Sequence, residues 1–200
     1  MPPTAEGPTL GLRERKKART RAAIQTHALR LFRAQGYQAT TVEQIITAAE
    51  VSETTFFRYF PTKEDVVLQD DFDPVIVKTL LRQPAESSPV EAVRRALRAH
   101  FDTLTPEQSD EMRERLRLVI AEPALRAAML DQMTQTMRLI AEAFAERTGR
   151  EHTDLAVRAT AGAVMGALIA ALDAWADDPD NDLPTIVDAA LGHLEHGLTR

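Results

Sequence analysis

Residues 40 to 65, TTVEQIITAAEVSETTFFRYFPTKED, constrain this chain more than any other stretch. They hold two short helical patterns, each with its own start signal, too close together to do anything but cross at a tight turn. Val42, Ile45, Ile46 and Ala49 recur at helical spacing and give the first helix one face to bury. Thr41 opens it, and Gln44 three residues on can reach back in a capping box. Ser52 opens the second helix, with Thr55 in the third place as a weaker partner. Phe56 and Phe60, one turn apart, predict an inner face that packs onto Ile45 and Ala49. Glu53, Thr54, Thr55, Phe57, Arg58 and Tyr59 are left facing outward or sideways. Pro61 ends the helix, Thr62 caps the next, and Lys63 stands where it can meet a phosphate.

That division fits a helix-turn-helix, in which an apolar face sets the crossing angle and the second helix reaches base edges in the major groove. The same spacing also fits an ordinary helical hairpin with all four aromatics in its core. Four aromatic residues within 56 to 60 weigh against the hairpin, because two of them cannot share the buried face.

The capping, turn and aromatic positions of TTVEQIITAAEVSETTFFRYFPTKEDV together resemble the DNA-binding signature of the TetR family of one-component transcriptional regulators. The resemblance covers residues 15 to 68; beyond that it extends only to length and an all-helical pattern. It implies an all-α protein of about nine helices, divided into a disordered tail over residues 1–12, a three-helix DNA-binding domain over 13–62, and a helical ligand-binding and dimerisation domain over 63–200. It implies a homodimer acting as a repressor, released from a palindromic operator by a small apolar or amphipathic effector. Ser52 to Phe60 would enter the major groove, with Thr54, Thr55 and Arg58 reading bases and Glu53 accepting from a cytosine amino group or excluding certain bases. Thr41, Lys63, Lys17 and Arg21 would hold phosphates. Phe57 and Tyr59 stand where family members touch the DNA backbone, although Phe57 has no hydroxyl to donate.

Charge distribution agrees with that reading. The chain carries a net −6, but residues 1 to 65 hold ten basic groups against seven acidic ones, which leaves the negative excess in the remainder. Phosphate attraction depends on the field within a Debye length of about 10 Å, so the imbalance between halves matters more than the total. The run RERKKARTR leads into a helix with Ile24, Ala28, Leu31 and Phe32 on one face, closed by Gly36 as a left-handed cap above Tyr37.

From Lys63 a fourth helix is expected through Val66, Val67, Phe72, Val75, Ile76 and Leu80, with a kink at Pro74. After the linker RQPAESSP, Ser88-Pro89 and Thr105-Pro106 start two more helices, and Pro123 opens a long one to about Thr148. This long helix carries Met129, Met133 and Met137 at i, i+4, i+8. Such a stripe is either flexible core filling or, with Leu97, His100, Phe101, Met112, Leu116 and Val119, the wall of an apolar ligand cavity. Arg117, Gln132, Gln135 and Arg138 are the polar groups available to it.

Between Thr153 and Ala176 small residues dominate: Gly162, Ala163, Gly166 and Ala170 would let a second copy approach closely. Ile186, Val187, Ala190, Leu191 and Leu194 of the last helix would complete a four-helix seam between protomers. The alternative is that both helices close the protomer's own core. Only fourteen uncharged residues separate Arg158 from Asp173, below the roughly 20 a span needs, so no membrane partner is expected, and a cytoplasmic protein is.

Catalysis has little support, with no Gly-rich phosphate loop and no cysteine. His193, Glu195 and His196 are a surface cluster too small for a metal site, so neither cofactor nor metal is expected. Two competing classes, a helical enzyme and a helical dimerisation module without DNA binding, make no use of the 40–65 motif.

Overall fold

The computed structural model describes residues 11–69, 72–178 and 180–197, and every described element is helical. The chain divides into two compact units, Met1–Gln69 and Asp70–Arg200. The disordered tail expected over residues 1–12 falls outside the described residues as far as residue 10. Gly11 and Leu12 already belong to the start of the first helix.

In the first unit, α1 (Leu12–Gln35) packs against both α2 (Val42–Ala48) and α4 (Lys63–Leu68), while α2 packs against α3 (Glu53–Tyr59). Ile24, Ala28, Leu29 and Phe32 of α1 are buried, together with Ile45, Phe56, Phe60, Val66 and Val67. Leu29 therefore takes the inward place expected for Leu31, which is half-buried. The capping signals are realised: Gln44 N–H donates to Thr41 Oγ1 at 3.3 Å and Thr41 N–H donates to Gln44 Oε1 at 2.9 Å. Thr62 and Asp65 form the same reciprocal pair at the head of α4. Gly36 has φ +85° and ψ +156°, so it closes α1 with positive φ but in an extended rather than helical left-handed state. Tyr37 beyond it is buried, its ring 5.1 Å from that of Phe32.

The fourth helix differs from expectation. It stops at Leu68, Gln69 is extended at φ −76° and ψ 118°, and α5 (Phe72–Leu81) is a separate helix. The break precedes Pro74 by several residues; Pro74 sits in the first turn of α5, where its missing N–H costs no helical bond. This moves the boundary between units from residue 62 to residue 69 and raises the helix count among the described residues to ten. Gln25 of α1 shapes the break: its Nε2 donates to the carbonyls of Val66, at 3.2 Å, and Gln69, at 2.6 Å. Those carbonyls would otherwise be orphans at the helix end.

The second unit comprises α5 and α6 (Pro89–Phe101), α7 (Pro106–Ala121), α8 (Pro123–Thr148), α9 (Leu155–Asp177) and α10 (Leu183–His196). Helix α9 packs against α8 and α10, α6 against α5 and α10, and α7 against α8. Trp175 is fully buried at the centre with Phe144, Leu80 and Leu191. The Trp175 indole N–H is satisfied by the Asn181 carbonyl at 3.1 Å. The segment RQPAESSP is no slack linker, because the Arg147 guanidinium donates to the carbonyls of Leu80, Gln83 and Pro84 at 2.8 to 3.1 Å. In α9, Val157, Ala161, Val164, Met165, Ala171 and Trp175 face the core, and the other side is exposed. By length and mean hydropathy alone this helix could cross a membrane. The count of uncharged residues between Arg158 and Asp173 therefore does not exclude a span; the core contacts of one whole face argue against it.

Candidate nucleic-acid interface and effector body

Helix α3 presents two unlike faces. Phe56 and Phe60 are both 0% exposed, their rings 6.1 Å apart, and they anchor the helix from within. Glu53, Thr54, Phe57 and Arg58, at i, i+1, i+4 and i+5, are all exposed and form one continuous outer stripe. Ser52 caps the helix, accepting from Thr55 N–H at 3.1 Å, and its hydroxyl donates to Thr55 Oγ1 at 2.9 Å. Thr55 is thus half-buried and tied to the cap rather than free at the surface, whereas Thr54 and Arg58 are exposed. Tyr59 is half-buried, and Arg58 lies over its ring at 5.2 Å.

The turn before α3 contains a feature the sequence reading missed. Val51 N–H donates to Ile46 O and Glu50 N–H to Thr47 O, both at 3.2 Å, closing α2 as a Schellman motif with Glu50 at φ +53°. Glycine suits this position; the cue was the three-residue gap between the end of one apolar pattern and the next Ser cap.

The phosphate-holding candidates divide as well. Lys17 is exposed, and Thr41 is exposed at the head of α2 with its hydroxyl accepting from Gln44. Arg21 is half-buried, its guanidinium 5.7 Å from the Phe60 ring centroid. Lys63 departs from its expected part. Its ammonium donates to the carbonyls of Tyr37 at 3.0 Å and Thr40 at 3.1 Å and lies 4.1 Å from the centre of the Tyr37 ring. Tyr37 Oη in turn donates to Glu64 Oε1 at 2.7 Å. Lys63 thereby fastens the α1–α2 turn to the head of α4, because part-buried carbonyls at a turn need donors and a lysine at the first position of a neighbouring helix can supply them.

In the second unit the expected pocket residues mostly serve the core. Leu97 and Val119 are buried, and Phe101, Met112, Leu116, Met133 and Met137 pack partly buried against the core cluster that contains Leu97. Met129 is half-buried and His100 lies 6.2 Å from Phe101, ring to ring. Of these nine, Leu97 and Phe101 alone line a cleft of about 260 Å³ between α6 and α10, whose wall mixes Val187 and Leu191 with the charged groups Arg94, Arg98, Asp182 and Asp188. Arg117, expected as a free polar group, pairs with Asp180 at 3.3 Å and stands 6.0 Å from the Trp175 ring. Arg94 grips Asp188 with two bonds of 2.7 and 2.8 Å and reaches Glu195 at 3.2 Å. The hydrogen bonds from Arg94 hold the Asp188 carboxyl below its ordinary range. Glu195 thus belongs to an ion-pair network rather than to the His193/His196 cluster, and no group of metal-holding side chains occurs among the described residues.

Of the expected dimer residues, Val187 and Leu191 are buried in the protomer's own core, a correction that follows from the packing of α10 on α6 and α9. Ala163, Gly166 and Ala170 are exposed on α9, and Ile186, Ala190 and Leu194 are half-buried on α10. Gly162 lies near Met137, where an added Cβ would sit 3.8 Å from the sulfur, whereas one at Gly166 would meet nothing within 4 Å.

Comparison with known proteins gives these features a family. The model of bacterial regulatory proteins of the tetR family matches residues 24–69, and that of the MftR C-terminal domain matches residues 87–199. The transcriptional regulator TcmR of Streptomyces glaucescens is 37% identical over 158 residues, covering 76% of this chain and 69% of its own. MftR of Mycobacterium tuberculosis, named for mycofactocin biosynthesis regulation, is 27% identical over 196 residues, covering 93% and 94%. Among solved structures, FadR of Thermus thermophilus, a repressor crystallised with lauroyl-CoA, has a TM-score of 0.55 at 26% identity, covering 90% of this chain and 96% of its own. These relatives are regulators rather than enzymes. With a helix-turn-helix unit matched at its amino-terminal end and a family-specific helical domain matched over more than half its length, the chain belongs to the TetR family of transcriptional regulators.

Proposed function

We propose that the protein is a homodimeric cytoplasmic repressor that releases a palindromic operator when a small amphipathic ligand enters its second unit. The observation that carries this reading is the two-sided α3, with Phe56 and Phe60 sealed inward and Glu53, Thr54, Phe57 and Arg58 open to solvent. In the complex, Thr54 and Arg58 read base edges, Glu53 restricts the base opposite it, and Ser52, Thr55 and Tyr59 hold the helix at its depth in the groove. Lys17, Arg21 and Thr41 contact phosphates that fix register without carrying sequence information. Two copies paired across α9 and α10, through Gly162, Ala163, Gly166 and Ala170 with Ile186, Ala190 and Leu194, set the half-sites about 34 to 36 Å apart or at a multiple. The exposed small-residue face of α9, including a Gly166 that no neighbour within the protomer requires, supports that pairing.

An acyl thioester in the Thermus relative supports an amphipathic effector. Its apolar part would part the soft layer of Met112, Leu116, Met133 and Met137 around Leu97, Phe101 and Val119, with Met129 and His100 at the margin. Methionine suits this role because its unbranched side chain repacks at little cost. Release of the operator on ligand binding then requires a coupling free energy between the two sites, typically ~1 to 3 kcal/mol. Selection of bound DNA from random oligonucleotides tests the reading: recovery of a palindrome whose enrichment disappears in Arg58→Ala is expected, and recovery of no preferred sequence at low salt would overturn it.

A further inference from the structure

The outer stripe of α3 contains one side chain that no polar partner can satisfy. Glu53, Thr54 and Arg58 carry groups that can hydrogen-bond, but Phe57 does not, and it is 43% exposed in the middle of the stripe. Its ring is not loose: it meets the fully buried Phe56 edge-on, at 5.3 Å between centroids and 88° between planes, so its direction is set by the core. Arg58, the neighbour best able to cover it, is instead drawn over the Tyr59 ring at 5.2 Å, leaving the Phe57 face open.

A major groove offers donors, acceptors and one apolar feature, the C5 methyl group of thymine. We infer that Phe57 packs on a thymine methyl group in each half-site and so determines specificity at that position, an inference that rests on the operator binding proposed above. The absence of a hydroxyl then has a use: a tyrosine here would bring a polar oxygen that must find its own partner, whereas phenylalanine rewards a methyl group and nothing else. An apolar contact of this kind discriminates thymine from uracil and from cytosine with no hydrogen bond involved.

The test uses the full-length protein and the palindrome recovered by selection. Each thymine is replaced singly and symmetrically by deoxyuridine, which removes the methyl group and keeps the base pair, and affinity is measured by fluorescence anisotropy at fixed salt. One thymine per half-site should be sensitive: its replacement weakens wild-type binding about fourfold per half-site, the effect of one buried methyl group, and about fifteenfold when both are changed. Phe57→Ala should be indifferent to the same replacement, Phe57→Leu should retain part of the discrimination, and neither should alter the slope of log affinity against log salt. Deoxyuridine tolerated everywhere by wild type, or a penalty that persists undiminished in Phe57→Ala, overturns the thymine assignment. A loss of affinity in Phe57→Ala that is equal on the selected palindrome and on unrelated DNA would place the residue at the backbone and overturn it as well. If selection recovers no preferred DNA, operator binding itself fails and takes this inference with it; bound DNA that is insensitive to deoxyuridine sinks the inference alone.

Discussion

Glu50 pays for the shape of the α2–α3 turn with its own backbone. At φ +53° a side chain with a Cβ costs about 1 to 2 kcal/mol over the right-handed region, while glycine there costs only chain entropy. Glu50→Gly should therefore raise stability by up to about 1 kcal/mol, read as a higher urea midpoint at unchanged slope; a lower midpoint would show that the carboxylate contributes something the backbone does not reveal. Lys63 poses the opposite question, since its charge is directed at carbonyls rather than at solvent. Lys63→Met should destabilise the first unit by about 1 to 3 kcal/mol, as expected when buried acceptors lose a charged donor. It should also leave the salt slope of DNA binding where it was. A slope smaller by about one, with stability intact, would return Lys63 to the phosphates.

At the scale of elements, the device that ties the second unit together is Arg147, the penultimate residue of α8, whose guanidinium collects the carbonyls that end α5 and begin the next loop. Arg147→Met keeps much of the aliphatic stem but orphans these acceptors, and should cost about 2 to 3 kcal/mol. Amide exchange over residues 80 to 88 should accelerate ahead of the rest of the unit; protection there equal to wild type would refute the role. Helices α6 and α10 are joined by Arg94 and Asp188. Because Arg94 lowers the Asp188 pKa, the stabilisation is fully present above the ordinary value of 3.8 and is lost as pH falls through the depressed one. Asp188→Asn should lower thermal stability at pH 7 and flatten its decline below about pH 4; an unchanged acid limb would mean that the pair contributes nothing to folding.

On the function proposed above, reading a palindrome requires two paired copies. On the proposed seam, Gly166→Glu introduces a charge at a position with open space around it in the protomer. The protomer should fold as before, by circular dichroism, while sedimentation shifts from dimer to monomer and operator binding weakens by orders of magnitude through lost bivalency. A variant that remains dimeric would move the interface off this face of α9. The polarity of charge along the chain belongs to this scale too: residues 1 to 65 carry the basic excess and the remainder the acidic one, so the local field differs in sign from the net charge.

Helix starts, the inward pair Phe56 and Phe60, the outward stripe beside them and the all-helical class were legible in the chain itself. Caps and apolar periodicity act within one or two turns, so neighbours in sequence suffice to decide them. The break at Gln69 was not, because Gln25 lies more than 40 positions away. The destination of the Lys63 ammonium and the reach of Arg147 across the 80–87 loop were equally hidden, and the sequence left open whether Val187 and Leu191 close the protomer's own core, as they do. A long cation or a branched apolar side chain has several acceptable partners, and which it meets depends on how distant helices pack, a choice that only tertiary structure makes.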